Sequence, residues 1–418
     1  MASLLNTQIN NTYPGLIKLD DNLPLDGNPK ALTDGNGNAL PIQVSNISVD
    51  FYQNVDFTNA VVTGLPGGAA GLVNGTGSDS LKSSDALTTN PSVAPTQGSI
   101  ILGDGATLAD NPSRPTWGAL GHIGIGKNIN ITENSFSNVY SKSVIAIGQN
   151  AQVDPYYDGG NIAIGHDANS TNMHGISIGA NSQAWRFAAA IGQYAQATAE
   201  STFALGRFAN ASTLNAIAIG ASTNSTGTNS VAIGQGATAE SDTAVSIGDG
   251  NTNQNGPNMS IGRGNNNYAN GSNIFGQNNT MGLGNGGCQL LASNINVPAG
   301  INDFVGIGRI SNPSGNINNS IQIGLVSSMT NAQNSVCIGR GSSLNGADNS
   351  VAIGRDASCT TGQSAAVGYN VTATRSNFVT VNELELKTVG GGIIMPSPNG
   401  TLYKITVSDT GDLVVSAA

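Results

Sequence analysis

The sequence has little charge, few aromatic rings and no long apolar run. Of its 418 residues, 10% are charged and 5% are aromatic, and the formal net charge is −10. Because no basic stripe is present to neutralise phosphates, we expect no nucleic-acid partner. The same deficit disfavours binding to anionic lipid. No apolar run approaches the roughly 20 residues that a membrane-spanning helix needs, so we also expect no membrane insertion.

Cysteine is scarce, and the opening residues lack the marks of an export signal. Cys288, Cys337 and Cys359 are odd in number and have no metal-ligand spacing, which fits a chain that folds in a cytoplasm. Cys337 stands where other repeats carry alanine or serine, so we expect a small packing residue. The first residues have neither the positive nor the apolar segment of a signal peptide. We therefore expect the chain to be made and folded in a cytoplasm.

No pattern of catalytic residues stands out. His122, His166 and His174 are the only histidines, and His166 directly follows a repeat glycine, which predicts an exposed turn. We expect no enzymatic activity, no cofactor and no metal. A glycan-cleaving carboxylate pair stays open as an alternative, because side chains from different coils or chains can meet in space.

Glycine is abundant, with 56 residues, and it recurs with a fixed period. An apolar residue precedes a glycine at every fourteenth position between residues 192 and 276. A short, constant period of this kind indicates a solenoid, in which each repeat is one coil. With the flanking coils included, the structural repeat glycines are Gly148, Gly165, Gly179, Gly192, Gly206, Gly220, Gly234, Gly248, Gly262, Gly276, Gly308, Gly324, Gly339, Gly354 and Gly368.

Fourteen residues suffice for two short strands and two tight turns, but not for a helix that buries a face. In the coil that ends at Gly234, the large Val231 and Ile233 flank the small Ala232. A side-chain period of two places the large pair on one face and the small residue on the other. We expect the large pair to face a thin core, with the small residues on the opposite face in contact with a copy of the same chain. The alternative is that the small residues line a narrow second side of the same coil.

The fold prediction is an all-β protein with three regions. Residues 1–98 form a β-rich attachment region that ends in a linker, and residues 99–376 form a parallel β-roll solenoid of about 14-residue coils. Residues 377–418 form a C-terminal β-hairpin cap, because turn signals at 398–400 and 409–412 separate β-prone runs.

The segments Asn229–Ala239 and Asn349–Ala357 resemble the head repeat of trimeric autotransporter adhesins of the YadA type. Similar residues recur in phase over roughly two thirds of the chain. The resemblance implies a left-handed β-roll, a homotrimer of chains side by side and a role at a surface that meets cells. The sequence departs from the family in lacking a secretion signal, heptads for a stalk and strands for a membrane anchor.

Two shorter segments are similar to parts of tailed-bacteriophage structural proteins, namely Leu4–Lys18 at the start and Pro398–Val407 near the end. Together with the missing signal, they predict a structural component of a virion, a trimeric fibre or spike on tail, neck or head. The expected partners are other virion proteins, through the N-terminal region, and a host cell-surface glycan or protein. The alternative function is the head domain of a bacterial surface adhesin.

Two features are candidates for surface recognition. An aromatic concentration includes Tyr156, Tyr157, Trp185 and Phe187, and exposed rings suit glycan or protein binding. The alternative is that these rings shield coil edges or fill the trimer interior. The period also fails between Gly276 and Gly308, which indicates either a loop that stands off the roll or an irregular coil.

Overall fold

Two ladders of short parallel strands run along most of the chain, and most coils contribute one strand to each ladder. The computed structural model describes residues 18–19, 26, 28–33, 38–44, 49–51, 72–74, 81–83, 87–88, 99–109, 121–132, 143–155, 160–310, 312–385 and 391–418. Among these residues, none forms a helix of the length and apolarity that a membrane crossing needs. The all-β, parallel solenoid that the repeat predicts is confirmed.

The first ladder, called ladder 1, contains the strands that precede the repeat glycines. Its parallel strands are Leu81–Ser83, Ile100–Leu102, Ile123–Ile125, Ile145–Ile147, Ile162–Ile164, Ile176–Ile178, Ala189–Ile191, Phe203–Leu205, Ile217–Ile219, Val231–Ile233, Val245–Ile247, Met259–Arg263, Asn273–Gln277, Gln289–Ser293, Phe304–Gly308, Ser320–Ile323, Val336–Ile338, Val351–Ile353, Ala365–Val367 and Val379–Val381. Leu72–Asn74 adds an antiparallel strand to Leu81–Ser83. Paired strands therefore lie on both sides of the predicted boundaries at 98/99 and 376/377.

The second ladder, called ladder 2, contains the strands that follow the repeat glycines. Its strands are Leu87–Thr88, Thr107–Ala109, Asn130–Thr132, Gln152–Pro155, Asn169–Asn172, Gln183–Ala184, Gln196–Ala197, Asn210–Ala211, Asn224–Ser225, Thr238–Ala239, Thr252–Asn253, Asn266–Asn267, Thr280–Met281 and Asn296–Val297. After an interruption, four further strands continue the pattern: Ser328–Thr330, Ser343–Asn345, Ser358–Cys359 and Thr372–Ala373.

The turns between the ladders explain why glycine and asparagine recur in phase. At Gly220 the φ angle is 132°, a conformation that residues with a Cβ rarely adopt. Two residues after each repeat glycine, the chain usually enters the left-handed helical region, which asparagine tolerates best among non-glycine residues. Asn150 and Asn181 occupy this position, with φ of 56° and 57°. The period is thus set by one turn that must repeat at the same place in every coil.

From Ala163 to Ser246 the interior of the roll is narrow and is filled mostly by small side chains. In the coil around Gly192, the residues that face inward are Ala188, Ala190, Ala195 and Ala197, and all are buried. The large residues of ladder 1 face outward instead and are only half-buried, as at Ile217 and Ile219 around the buried Ala218. The prediction that the large pair faces the core was therefore wrong. The alternative is confirmed for these coils, in which alanine side chains fill the space between the two ladders.

The interior changes chemistry along the roll. Around residues 251–279 its alanines give way to a column of buried asparagines, in which each side chain is hydrogen-bonded to the next coil. The Nδ2 group of Asn265 donates to the Oδ1 atom of Asn251 at 3.1 Å and to the carbonyl oxygen of Gly276 at 2.8 Å. Its own Oδ1 atom accepts from the backbone and side-chain nitrogens of Asn279, at 3.1 and 3.0 Å. Every polar atom of this buried amide therefore has a partner, as burial requires.

Replacing Asn265 with alanine is expected to destabilise the roll by about 2–3 kcal/mol, because buried groups on both neighbouring coils lose their partners. The measurement is the free energy of unfolding in urea. Asn266 is a matched control, since it follows Asn265 directly in the chain, begins the strand Asn266–Asn267 and points outward. Asn266→Ala should change stability by less than about 0.5 kcal/mol. Equal losses in the two variants would contradict the role assigned to the interior amide.

The segment between Gly276 and Gly308 forms coils and not a protruding loop. Gly276, Ala292 and Gly308 pair in register at intervals of 16 residues, and Ala292 occupies the glycine position. The interior here holds larger side chains, including the buried Leu290, Ile295 and Phe304. The irregular-coil alternative is therefore confirmed, since two extra residues per coil give room for a wider apolar interior.

The chain divides into two units, Met1–Ala69 and Ala70–Ala418. In the first unit, the strands Lys18–Leu19, Lys30–Thr33, Ala39–Val44 and Val49–Phe51 form an antiparallel sheet in sequence order. The second unit ends in an antiparallel sheet of Ile393–Pro396, Leu402–Val407 and Leu413–Ala417. Tight turns at Gly400 and Gly411, with φ of 85° and 89°, join these three strands, as the turn signals predict.

Candidate recognition surfaces

The outer side of ladder 1 is a largely apolar surface, called the apolar face, which is interrupted at Asn273 and Gln289, where the Nδ2 group of Asn273 donates to the Oε1 atom of Gln289 at 3.0 Å. It consists of the residues one and three places before each repeat glycine position. From Ile145 onward these are Ile145, Ile147, Ile162, Ile164, Ile176, Ile178, Ala189, Ile191, Phe203, Leu205, Ile217, Ile219, Val231, Ile233, Val245, Ile247, Met259, Ile261, Asn273, Phe275, Gln289, Leu291, Val305, Ile307, Ile321, Ile323, Val336, Ile338, Val351, Ile353, Ala365, Val367, Val379 and Val381. Roughly 17 coils at 4.8 Å each make it about 80 Å long.

The outer side of ladder 2 is polar, and we call it the polar face. Its first outward row is Asn169, Gln183, Gln196, Asn210, Asn224, Thr238, Thr252, Asn266, Thr280 and Asn296. Some of these side chains pair along the roll, as where the Nδ2 group of Asn210 donates to the Oδ1 atom of Asn224 at 2.8 Å. The two outer faces therefore differ in solvation. Water can hydrogen-bond to the side chains of the polar face, whereas removing the apolar face from water lowers the free energy.

Of the four residues predicted for recognition, the structure places two on the surface. Trp185 and Phe187 are 38% and 43% exposed, and Tyr156 and Tyr157 lie outside the described residues. The ring of Phe187 stacks on His174, with 5.7 Å between centroids, and the guanidinium of Arg186 lies 5.1 Å from the same ring. Arg186 also pairs with Glu200 at 3.4 Å, so the charges at this corner balance.

A separate aromatic pair lies at the turn that follows the repeat glycine and leads from ladder 1 to ladder 2. Tyr194 and Phe208 stack at 5.1 Å with an interplanar angle of 8°, and Arg207 lies over Phe208. Both aromatic residues have a φ of 58°, at the position where other coils have asparagine or glycine. The two aromatic groups thus lie at different turns of the coil and do not form one cluster.

Sequence reasoning missed the polar residues around Trp185. Asn169, Thr171, Gln183 and Thr198 line a shallow groove with this ring, above the buried Ala184. The repeat could have predicted this groove. One position of three successive coils is occupied in turn by Thr171, Trp185 and Thr198. Ladder 2 confirms this register by pairing Asn169 with Gln183, and Gln183 with Gln196.

The repeat glycines, by contrast, all lie where the period places them. Each lies at the end of a ladder 1 strand, directly after it or, at Gly262 and Gly276, one residue before its end, and their φ angles run from 101° to 145°. His166 lies in the exposed turn that was expected, with its Nδ1 atom 2.7 Å from an Asp167 carboxylate oxygen.

The cysteines are packing residues in the roll. Cys288, Cys337 and Cys359 are buried free thiols. Burial raises the pKa of the Cys288 and Cys337 thiols, which favours the unreactive neutral form. Within the described residues, no three histidine, cysteine, aspartate or glutamate side chains gather closely enough to hold a metal ion.

Comparison with known families supports the assignment of the repeat. The family described as YadA head domain repeat (2 copies) matches residues 162–182, 188–209, 197–223 and 225–251. No curated protein matches the chain. The matched residues cover the coils with an alanine-rich interior, and the same two ladders continue on both sides of them. The coils at residues 162–251 are therefore similar to the YadA head domain repeat, and they lie within a longer solenoid built on the same kind of coil.

Proposed function

We propose that this chain is a trimeric, non-enzymatic fibre protein, in which the roll is a rigid, adhesin-type head that meets a surface. One observation carries the proposal. The roll has a long apolar face on ladder 1 and a polar face on ladder 2. An exposed apolar surface of more than a few hundred Å² marks an interaction site on a soluble protein. Three copies packed through this face would bury it and leave the polar faces outward.

The C-terminal sheet gives independent support for association between copies. Its side chains are exposed on both faces, including Ile394 at 55%, Leu413 at 75% and Val415 at 62%. A sheet of three strands gains its stability by covering at least one face. Equivalent sheets from neighbouring copies are the simplest cover for these residues. The number three is taken from the YadA-type head repeat.

Light scattering on the purified full chain tests the assembly. We expect a mass of about 126 kDa, three times the 42.1 kDa of one chain. A stable monomer would overturn the packing argument made from the apolar face. A dimer would keep the role of the face but reject the trimer.

The biological setting is a finer proposal with two forms. Similarity of the first and last segments to tailed-phage structural proteins favours a virion fibre, attached through residues 1–98. The head repeats favour the head of a bacterial surface adhesin at least as well. Immunogold electron microscopy with an antibody to the C-terminal segment separates them. Gold on virions would support the first, and gold on cell surfaces without particles would support the second.

A further inference from the structure

The groove beside Trp185 results from the register of ladder 2. Thr171, Trp185 and Thr198 form one outward row on successive coils, so the indole has only threonine on either side along the roll. Because its neighbours are so much smaller, the ring is not covered, and 38% of Trp185 remains exposed. The groove has a volume of about 110 Å³.

The polar groups in the groove are not used by the protein. Among the described residues, the side chains of Asn169, Thr171, Gln183 and Thr198 make no hydrogen bond to another protein group. Elsewhere on the polar face, amides pair between coils, and the Nε2 group of Gln254 donates to a carboxylate oxygen of Glu240 at 2.6 Å. The amides at the groove therefore keep both donors and acceptors for an external ligand.

Within the described part of the chain, the groove lining contains amides, hydroxyls, one aromatic ring and no charged side chain. Two charged groups lie just outside this lining: Arg186, which pairs with Glu200, and Asp154 on the preceding coil, which pairs in register with Thr171. An acidic or basic ligand would find no counter-charge in this lining. The groove also lies on the polar face, so the packing proposed for the apolar face leaves it open to solvent.

We propose that this groove binds one neutral sugar ring of a surface glycan. Trp185 stacks against the apolar C–H face of the ring, and the neighbouring amides and hydroxyls hydrogen-bond to the sugar hydroxyls. A pyranose matches this lining because it combines an apolar face with hydroxyls that both donate and accept. The site deepens the proposed function and rests on it in one respect, since the polar face must point outward in the assembly.

The experiment is binding of the full-length protein to an array of immobilised neutral and acidic glycans, followed by titration with the best neutral glycan. We expect saturable binding to at least one neutral glycan. Trp185→Ala should weaken it by about tenfold or more, and Gln183→Ala by about three- to tenfold. Tyr268 is the matched control, because it occupies the same outward row several coils away. Tyr268→Ala should bind within about twofold of the parent.

A second readout uses the tryptophan itself. The sequence has two tryptophans, Trp117 and Trp185, so Trp117→Phe leaves Trp185 as the only indole. Its fluorescence should change saturably with the same glycan and with the same midpoint. Binding to acidic glycans only, no binding to any neutral glycan, or unchanged affinity in Trp185→Ala would each overturn the proposal. A trimeric mass for Trp185→Ala distinguishes failure of the sugar site from failure of the fibre.

Discussion

Replacing Ile219 and Ile233 together with aspartate is expected to dissociate the proposed trimer into monomers. These residues lie on neighbouring coils of the apolar face and are half-buried in one chain. The coil interior behind them does not change, so the single chain should still fold. In the trimer, six carboxylates would be buried between chains without partners, at a cost of several kcal/mol each.

Light scattering should show the mass falling from about 126 kDa to the 42.1 kDa of one chain. Thr238→Asp is the control, because Thr238 points outward from ladder 2 in the neighbouring part of the same roll. That substitution should leave the mass at the trimer value. If the double variant stays trimeric, the interface lies elsewhere and the apolar face has lost its assigned role.

Replacing Gly220 with alanine is expected to destabilise the roll by about 3–5 kcal/mol, through backbone strain together with steric overlap. Gly220 has a φ of 132°, and a Cβ at this residue would lie 2.6 Å from the carbonyl oxygen of Gly234 in the next coil. The backbone of that coil cannot retreat without breaking the ladder hydrogen bonds. The coil should therefore open locally at residue 220, where the added methyl group overlaps the backbone of the next coil.

Gly250 provides the control. Its φ is 62°, and nothing lies within 4 Å of the position that a Cβ would take. Gly250→Ala should cost only the strain of the left-handed region, about 1–2 kcal/mol. Urea unfolding gives the two free energies, and limited proteolysis should cut Gly220→Ala near the substituted coil. A loss for Gly220→Ala no larger than that for Gly250→Ala would refute the steric argument.

The period predicted most of the roll because the turn that sets it has a strict local requirement. The chain accepts only glycine at a φ near 130° against a neighbouring carbonyl, so the turn is visible in the sequence. The prediction was incomplete at Ala292, where the strand Gln289–Ser293 continues through the glycine position. There the coil is longer, and the local requirement that marks the other turns does not apply.

The orientation of the ladder 1 side chains could not be predicted in the same way. Alternation at Val231, Ala232 and Ile233 indicates that two faces differ, but it does not say which face is inside. Size and apolarity argue for burying the large residues. The short distance between the two ladders favours burying the small residues. That distance is a property of the folded coil and cannot be read from the sequence of one strand.

Only part of the groove at Trp185 could be predicted from the sequence. The exposed ring was found by residue type alone. Asn169, Thr171, Gln183 and Thr198 were not, because each is an ordinary polar residue in a chain rich in such residues. They become a site only when the coils are stacked and residues about 14 apart come together on one face.

The sequence by itself determined the repeat, the strands and the turn that joins them, because backbone conformation depends on the residue at each position. It also determined that one face of ladder 1 differs from the other. The tertiary structure decided which face is buried, which coils are wider and which polar side chains lie beside Trp185. These depend on the separation of the ladders and on the register of coils, and contacts between residues distant in sequence fix both.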